Sequence, residues 1–221
     1  MTFDHRYFVL TATHVWVALQ RSSRIHCSAI AEMTHDFNLP REAFRSYSLD
    51  DNLERALATG KALEEFDADL TLLEFHSSDR RNIQARSSFF QLDREPVAEM
   101  NDWMVIGAPG ELAVKDPEEL NTLSFEIRGI FLKTLAQEAE HSGLDFLRGL
   151  PYGDPGSPVQ SYKGMSGGGL WSLSYFPERS ADARYEVFLI GVNFWQSGRE
   201  IRSLGRNAIR QLVQKVRRVT R

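Results

Sequence analysis

Gly164-Met165-Ser166-Gly167-Gly168 sets a hydroxyl between backbone positions that suit glycine and little else. Acyl transfer to a serine needs free N–H donors beside the attacking oxygen. Such donors face a carbonyl only where the chain turns tightly without Cβ clashes. The bland alternative is a Gly-rich loop leading into the apolar run Leu170-Trp171-Ser172-Leu173. A serine hydroxyl is also a weak nucleophile until a base takes its proton, and a carboxylate must orient that base. The partners of Ser166 therefore decide between the two readings.

Chain order sorts those partners. The six histidines, at 5, 14, 26, 35, 76 and 141, all precede Ser166. Gly164, Ser166 and Gly168 also satisfy the G-x-S-x-G elbow of α/β-hydrolases, but that fold places its acid and histidine after the serine. This reading fails. An Asp, His, Ser order of the subtilisin kind stays formally open through His76, which follows the run Leu70–Phe75, or through His141, which follows no apolar run. His14 does follow one: Tyr7-Phe8-Val9-Leu10-Thr11-Ala12-Thr13 is β-branched and aromatic and is expected as a buried strand ending at His14. A carboxylate precedes another apolar run in Phe66-Asp67-Ala68-Asp69-Leu70-Thr71-Leu72-Leu73. Asp69 is preferred to Asp67, because it adjoins the run directly and its side chain can point back toward the histidine.

Phe8 to Val15 resembles the strand-to-histidine motif of trypsin-like serine proteases, usually written V-L-T-A-A-H. Asp69 to Leu73 is similar to that family's D-[LI]-[AT]-L-L acid motif, and Gly164 to Gly168 to its serine motif. His14 and Asp69 stand 55 residues apart, and Asp69 and Ser166 stand 97 apart, against about 45 and about 93 in chymotrypsin. Val105-Ile106-Gly107-Ala108-Pro109-Gly110 resembles the opening of the second barrel in bacterial members. Leu189-Ile190-Gly191-Val192-Asn193-Phe194-Trp195 resembles the L-x-G-[IV]-x-x-W strand beside the substrate.

The resemblance implies a serine endopeptidase with Ser166 as nucleophile, His14 as base and then acid, and Asp69 as orienter. It implies an oxyanion hole from the N–H groups of Gly164 and Ser166, substrate contacts at Phe194 and Trp195, and no cofactor or metal. The resemblance further implies a primary pocket whose floor falls near Gln160 and Ser161. Neither is acidic, so cleavage after Lys or Arg is not expected. Two departures matter. Met165 replaces the usual aspartate, so the ion pair made in that family by a freshly cut N-terminus is not expected. And only 13 residues precede His14, room for little more than one strand where a six-stranded barrel needs two more. A late reading frame, strands from a partner chain or an upstream segment, or a degenerate domain would each account for that.

Stepping outward from these residues, strands are expected at Leu70–Phe75, Ser87–Leu92, Trp103–Ile106, Ser124–Leu132, Leu170–Tyr175 and Tyr185–Asn193, and weakly at Ser28–Met33. A short helical turn fits Val15–Gln20 and a brief helix or loop fits Asp50–Thr59. Ala208, Ile209, Leu212, Val213, Val216 and Val219 recur at helical spacing, with Asn207 or Ser203 available as caps. The fold class is therefore mainly β: two antiparallel β-barrels of chymotrypsin-like type with a C-terminal helix, the first barrel lacking N-terminal strands. The domains are expected at 1–95 and 96–221, with the helix at 205–219 and the connection near Asp93-Arg94-Glu95-Pro96.

Composition narrows the partners. A net charge of −4 gives no pull toward nucleic acid or anionic membrane. Cys27 is the only cysteine, so no intrachain disulfide can form, and the chain reads as intracellular and cytoplasmic. Neither a signal peptide's apolar run nor a membrane-span run is present. The expected partner is a peptide or protein substrate. The rival reading is a catalytically silent trypsin-like domain that binds a peptide or protein. A general esterase using the same three residues is a further enzyme reading.

Overall fold

The computed structural model describes residues 1–4, 6–20, 24–28, 36–60, 68–75, 101–107, 114–115, 123–124, 128–138, 143–152, 162, 164–180, 184–197 and 200–219. They form two compact units, one of residues 1–94 with 208–221 and one of residues 95–207. The expected connection at Asp93-Arg94-Glu95-Pro96, the strand expected at Ser87–Leu92, and Gln160 and Ser161 lie outside the described residues.

In the first unit, β1 (Thr2–Phe3), β2 (Arg6–Thr11), β5 (Phe44–Ser48) and β6 (Thr71–Phe75) form an antiparallel sheet ordered β1-β2-β6-β5. β3 (Arg24–Ser28) and β4 (Asp36–Pro40) make a separate hairpin. Among the described residues, the strands of this unit form an open sheet and a two-stranded pair, and a second barrel is not shown. α1 (Thr13–Leu19) follows β2 after one residue, and α2 (Asp51–Ala58) carries an aspartate cap, with Asp50 accepting the Asn52 N–H. Thr11 on β2 faces Thr71, and Ser48 on β5 faces Thr71 from the other side. Phe8, Ala12, Trp16, Leu70 and Leu72 are buried around them.

The outer end of that sheet is tied by charge. Arg6 donates to both Glu74 oxygens, from Nε at 2.6 Å and Nη2 at 2.5 Å, and Tyr47 Oη donates to Glu74 at 3.0 Å. These hydrogen bonds, Arg6 first, hold the Glu74 carboxyl below its ordinary value of 4.5 against the opposing effect of burial.

The second unit is a closed six-stranded antiparallel barrel. Its strands are β7 (Asn101–Gly107), β10 (Arg128–Gln137), β11 (Phe146–Pro151), β12 (Gly169–Tyr175), β13 (Tyr185–Ser197) and β14 (Glu200–Gly205), ordered β10-β11-β14-β13-β12-β7. β8 (Val114–Lys115) and β9 (Leu123–Ser124) pair apart from it. The strand expected over Ser124–Leu132 is thus parts of two, and β11 and β14 were not anticipated, because Gly149 and the charged Arg148, Glu200 and Arg202 interrupt their apolar pattern. Val105, Leu132, Tyr162, Met165, Leu170 and Ile201 form its apolar core. Register shifts at Leu170/Trp171 and Asn193/Trp195 bend β12 and β13, as bulges do where a strand must re-aim its neighbours.

α3 (Arg206–Val219) continues from β14. Its buried face is Ala208, Ile209, Leu212, Val213 and Val216, whereas Val219, expected on that face, is exposed. The helix was expected in the second domain, yet from Ala208 onward it belongs to the first unit. Lys215 Nζ donates to Ser48 O at 2.8 Å and pairs with Asp51, and Arg217 pairs with Asp4. The expected caps also differ. Asn207 lies inside the helix and Ser203 donates to Asn193 Oδ1; the cap is the buried Asp145, whose Oδ2 accepts the Asn207 N–H at 3.1 Å. A tertiary cap of this kind leaves no local signature in sequence.

Two outcomes follow. Asp145→Ala should lower stability by about 1–2 kcal/mol in chemical denaturation, the usual cost of losing an N-cap. The unfolded chain protonates Glu74 before the folded one does. The pair's contribution is therefore complete above the ordinary glutamate value and lost as pH falls through the lower folded-state value. Glu74→Gln should flatten the acid limb of a melting-temperature profile while leaving its shape near neutrality unchanged.

Candidate active site

His14 is the second residue of α1, and a helix start leaves its first N–H groups without partners inside the helix. Ala12, at the cap position, offers no side-chain acceptor. Asp69, two residues ahead of β6, supplies one instead. Its Oδ1 accepts the His14 backbone N–H at 3.0 Å, and its Oδ2 lies 2.5 Å from His14 Nδ1. One carboxylate thus caps the helix and holds the ring. The Asp69 side chain is fully buried, while that of His14 is 28% exposed. An anionic acceptor at Nδ1 keeps the proton of the neutral ring on that nitrogen and leaves Nε2 as the basic site. Asp67, the alternative carboxylate, lies outside the described residues.

The serine turn belongs to the second unit. Gly164 and Gly167 have φ of +89° and +82°, the left-handed region that glycine enters without steric cost. Gly167 N–H donates to Asn193 O at 2.7 Å, and Asn193 N–H returns to Gly168 O at 2.9 Å. Met165 N–H donates to Tyr162 O and Gly168 N–H to Met165 O, both at 3.1 Å. Among the described residues, the N–H groups of Gly164 and Ser166 donate to no acceptor. Those are the two donors expected to form an oxyanion hole.

Ser166 is half-buried, and its Oγ donates to Phe194 O at 3.3 Å. Phe194 was expected beside a substrate; its ring is 3% exposed and packs on Phe146, so its carbonyl is what reaches the serine. Trp195 is half-buried, with the Arg202 guanidinium 5.4 Å from its ring. Met165, between Gly164 and Ser166, is 2% exposed and lies in the barrel core. An apolar anchor therefore seats this turn.

The structure brings His14 and Asp69 together in one unit, and gathers Gly164, Ser166 and the Phe194 carbonyl in the other. Gln160 and Ser161 lie outside the described residues. Sequence reasoning missed Asn193 as the clamp of the serine turn. It acts through its backbone N–H and C=O, which every residue other than proline carries, so no side-chain pattern could reveal it. Among the described residues, no three His, Cys, Asp or Glu side chains converge to hold a metal ion, and no helix is long and apolar enough to cross a membrane.

Compared with known proteins, the chain matches no protein-family model and no curated protein. The chemistry must therefore be argued from the residues.

The turn has no room for a side chain at Gly168, where a Cβ would overlap the Ile106 carbonyl oxygen. Backbone cannot swing aside as a side chain can. Gly168→Ala should cost about 1–3 kcal/mol, the range for overpacking, and should release the Gly167–Asn193 bond, seen as faster amide exchange at Gly167.

Proposed function

We propose that this chain is a serine endopeptidase of trypsin-like kind that works through a His14–Asp69–Ser166 triad. The observation that carries the reading is Asp69, a fully buried carboxylate holding His14 by its backbone N–H and by Nδ1. A purely structural helix cap would need only the first of these contacts. Support also comes from the N–H groups of Gly164 and Ser166, which flank the expected nucleophile and donate to no acceptor among the described residues.

In the proposed cycle, Ser166 Oγ attacks a peptide carbonyl carbon while His14 Nε2 takes the hydroxyl proton. Asp69 keeps the ring in the required tautomer and stabilises the imidazolium. The carbonyl oxygen, now anionic, accepts hydrogen bonds from the N–H groups of Gly164 and Ser166, each worth about 3 kcal/mol of barrier. The tetrahedral intermediate collapses as His14 passes its proton to the leaving amine, and an acyl-serine remains. Water then attacks the acyl carbon, His14 takes its proton and returns it to Ser166 Oγ, and the acid product departs. The proposal extends to the fold: one closed barrel carries the serine, and we read the four-stranded sheet of the first unit as a reduced first barrel.

A second reading, a silent domain that binds a peptide or protein, draws on the Ser166 hydroxyl being given to Phe194 O rather than held as a nucleophile. Covalent chemistry separates the two. A fluorophosphonate probe should label the wild-type protein at Ser166, located by peptide mass spectrometry, and Ser166→Ala should not be labelled. Asp69→Asn should slow labelling by about four orders of magnitude, as loss of the orienting carboxylate does in this mechanism. An unlabelled wild type, or equal labelling of Ser166→Ala, would overturn the enzyme reading. Turnover of a nitrophenyl ester without cleavage of any peptide in a random library would favour an esterase.

A further inference from the structure

Behind the His14–Asp69 pair runs a chain of three hydroxyls. Thr71 Oγ1 donates to Thr13 Oγ1 at 3.0 Å, and Ser48 Oγ lies 2.9 Å from Thr71 Oγ1. Thr13 and Thr71 are fully buried and Ser48 is 1% exposed. With its own proton committed to Thr13, Thr71 Oγ1 is the acceptor toward Ser48, so the three hydroxyls point one way, Ser48 to Thr71 to Thr13.

Position gives this chain its meaning. Thr13 immediately precedes His14, and Thr71 follows Asp69 by two residues. The start of α1 is therefore joined to the start of β6 by two adjacent links, one through the carboxylate and one through the hydroxyls. A single link between two segments acts as a pivot, whereas two fix the angle. Ser48 adds a third anchor from β5, and Lys215 of α3 holds the Ser48 carbonyl at 2.8 Å. Buried hydroxyls are costly unless paired, so a ladder in which each is satisfied specifies one arrangement of the segments that carry it.

The sequence marks the same place. The strand-to-histidine motif that this chain resembles ends A-A-H, and here Thr13 stands where its second alanine would be. Alanine would bury no polar group. A threonine there makes sense only with a partner, and Thr71 is that partner.

We infer that Thr71, with Thr13, is a positioning residue that holds the His14 imidazole at the angle needed for proton transfer. It touches neither substrate nor reacting atoms and acts through the register between α1 and β6. This role rests on the proposed triad, but its first readout does not depend on activity. That readout is the proton NMR signal of His14 Nδ1–H, assigned by its loss in His14→Ala and reporting the bond to Asp69.

The test uses the full chain carrying Thr71→Val, which keeps the shape and removes the hydroxyl, and Thr13→Ala as a milder second variant. Thr71→Ser serves as the conservative rescue. In variants that keep the wild-type circular dichroism, the His14 Nδ1–H signal should shift or broaden. The rate of fluorophosphonate labelling at Ser166 should fall by about 10- to 100-fold, the scale expected when a reacting group is loosely held. Thr71→Ser should return both to near wild-type values. An unchanged signal and an unchanged rate in folded Thr71→Val would overturn the role and leave the hydroxyls as packing only. If Thr71→Val does not fold, Thr13→Ala decides on the same two criteria. If the wild type is not labelled at all, the triad reading fails, and an NMR shift restored by Thr71→Ser would still establish the positioning.

Discussion

A carboxylate without access to water governs the first unit. Burying an ionised group costs several kcal/mol unless donors replace the lost hydration. Asp69 finds two in a single residue, the backbone N–H and the ring Nδ1 of His14. That requirement fixes how α1 leaves β2, since His14 must present both groups to the segment before β6. It also explains why the hydroxyls of Ser48, Thr71 and Thr13 can be buried nearby: the same segments already meet there in a defined register. Substituting any one of these groups leaves another polar atom buried and unpaired, so the arrangement is cooperative rather than a set of separate contacts.

The second unit solves a different problem with different means. In the proposed cycle a serine turn must present its hydroxyl and two N–H groups while the backbone around it stays rigid. Here rigidity comes from the Gly167–Asn193–Gly168 exchange of main-chain bonds, from Met165 set in the barrel core, and from the close approach of Gly168 to Ile106 O. None of these uses charge. The turn is thereby seated by packing and main-chain bonds, whose strength does not depend on the ionisation of a neighbouring group.

Much of the candidate site was legible because its chemistry is local. A histidine just beyond an apolar strand, an aspartate ahead of another and a serine among glycines each reveal themselves within about eight residues. The two left-handed glycines follow from the same stretch. The fold was less legible. Strands β11 and β14 carry glycine and charged residues inside a buried barrel, and their pattern becomes intelligible only beside their neighbours. Arg202, for example, is 9% exposed on β14 and is paired with Glu138 across the sheet.

Sequence alone determined which residue types could do acyl-transfer chemistry, their order along the chain and the mainly β character, because these depend on side-chain identity and short-range periodicity. Tertiary structure decided what depends on distant partners. It gave the capping of α3 to Asp145, the clamping of the serine turn to Asn193, and the grouping of α3 from Ala208 with the first unit. It also decided that six strands close a barrel in the second unit, whereas four strands of the first form a sheet. Main-chain hydrogen bonds and register make those choices, and both are the same for nearly every side chain.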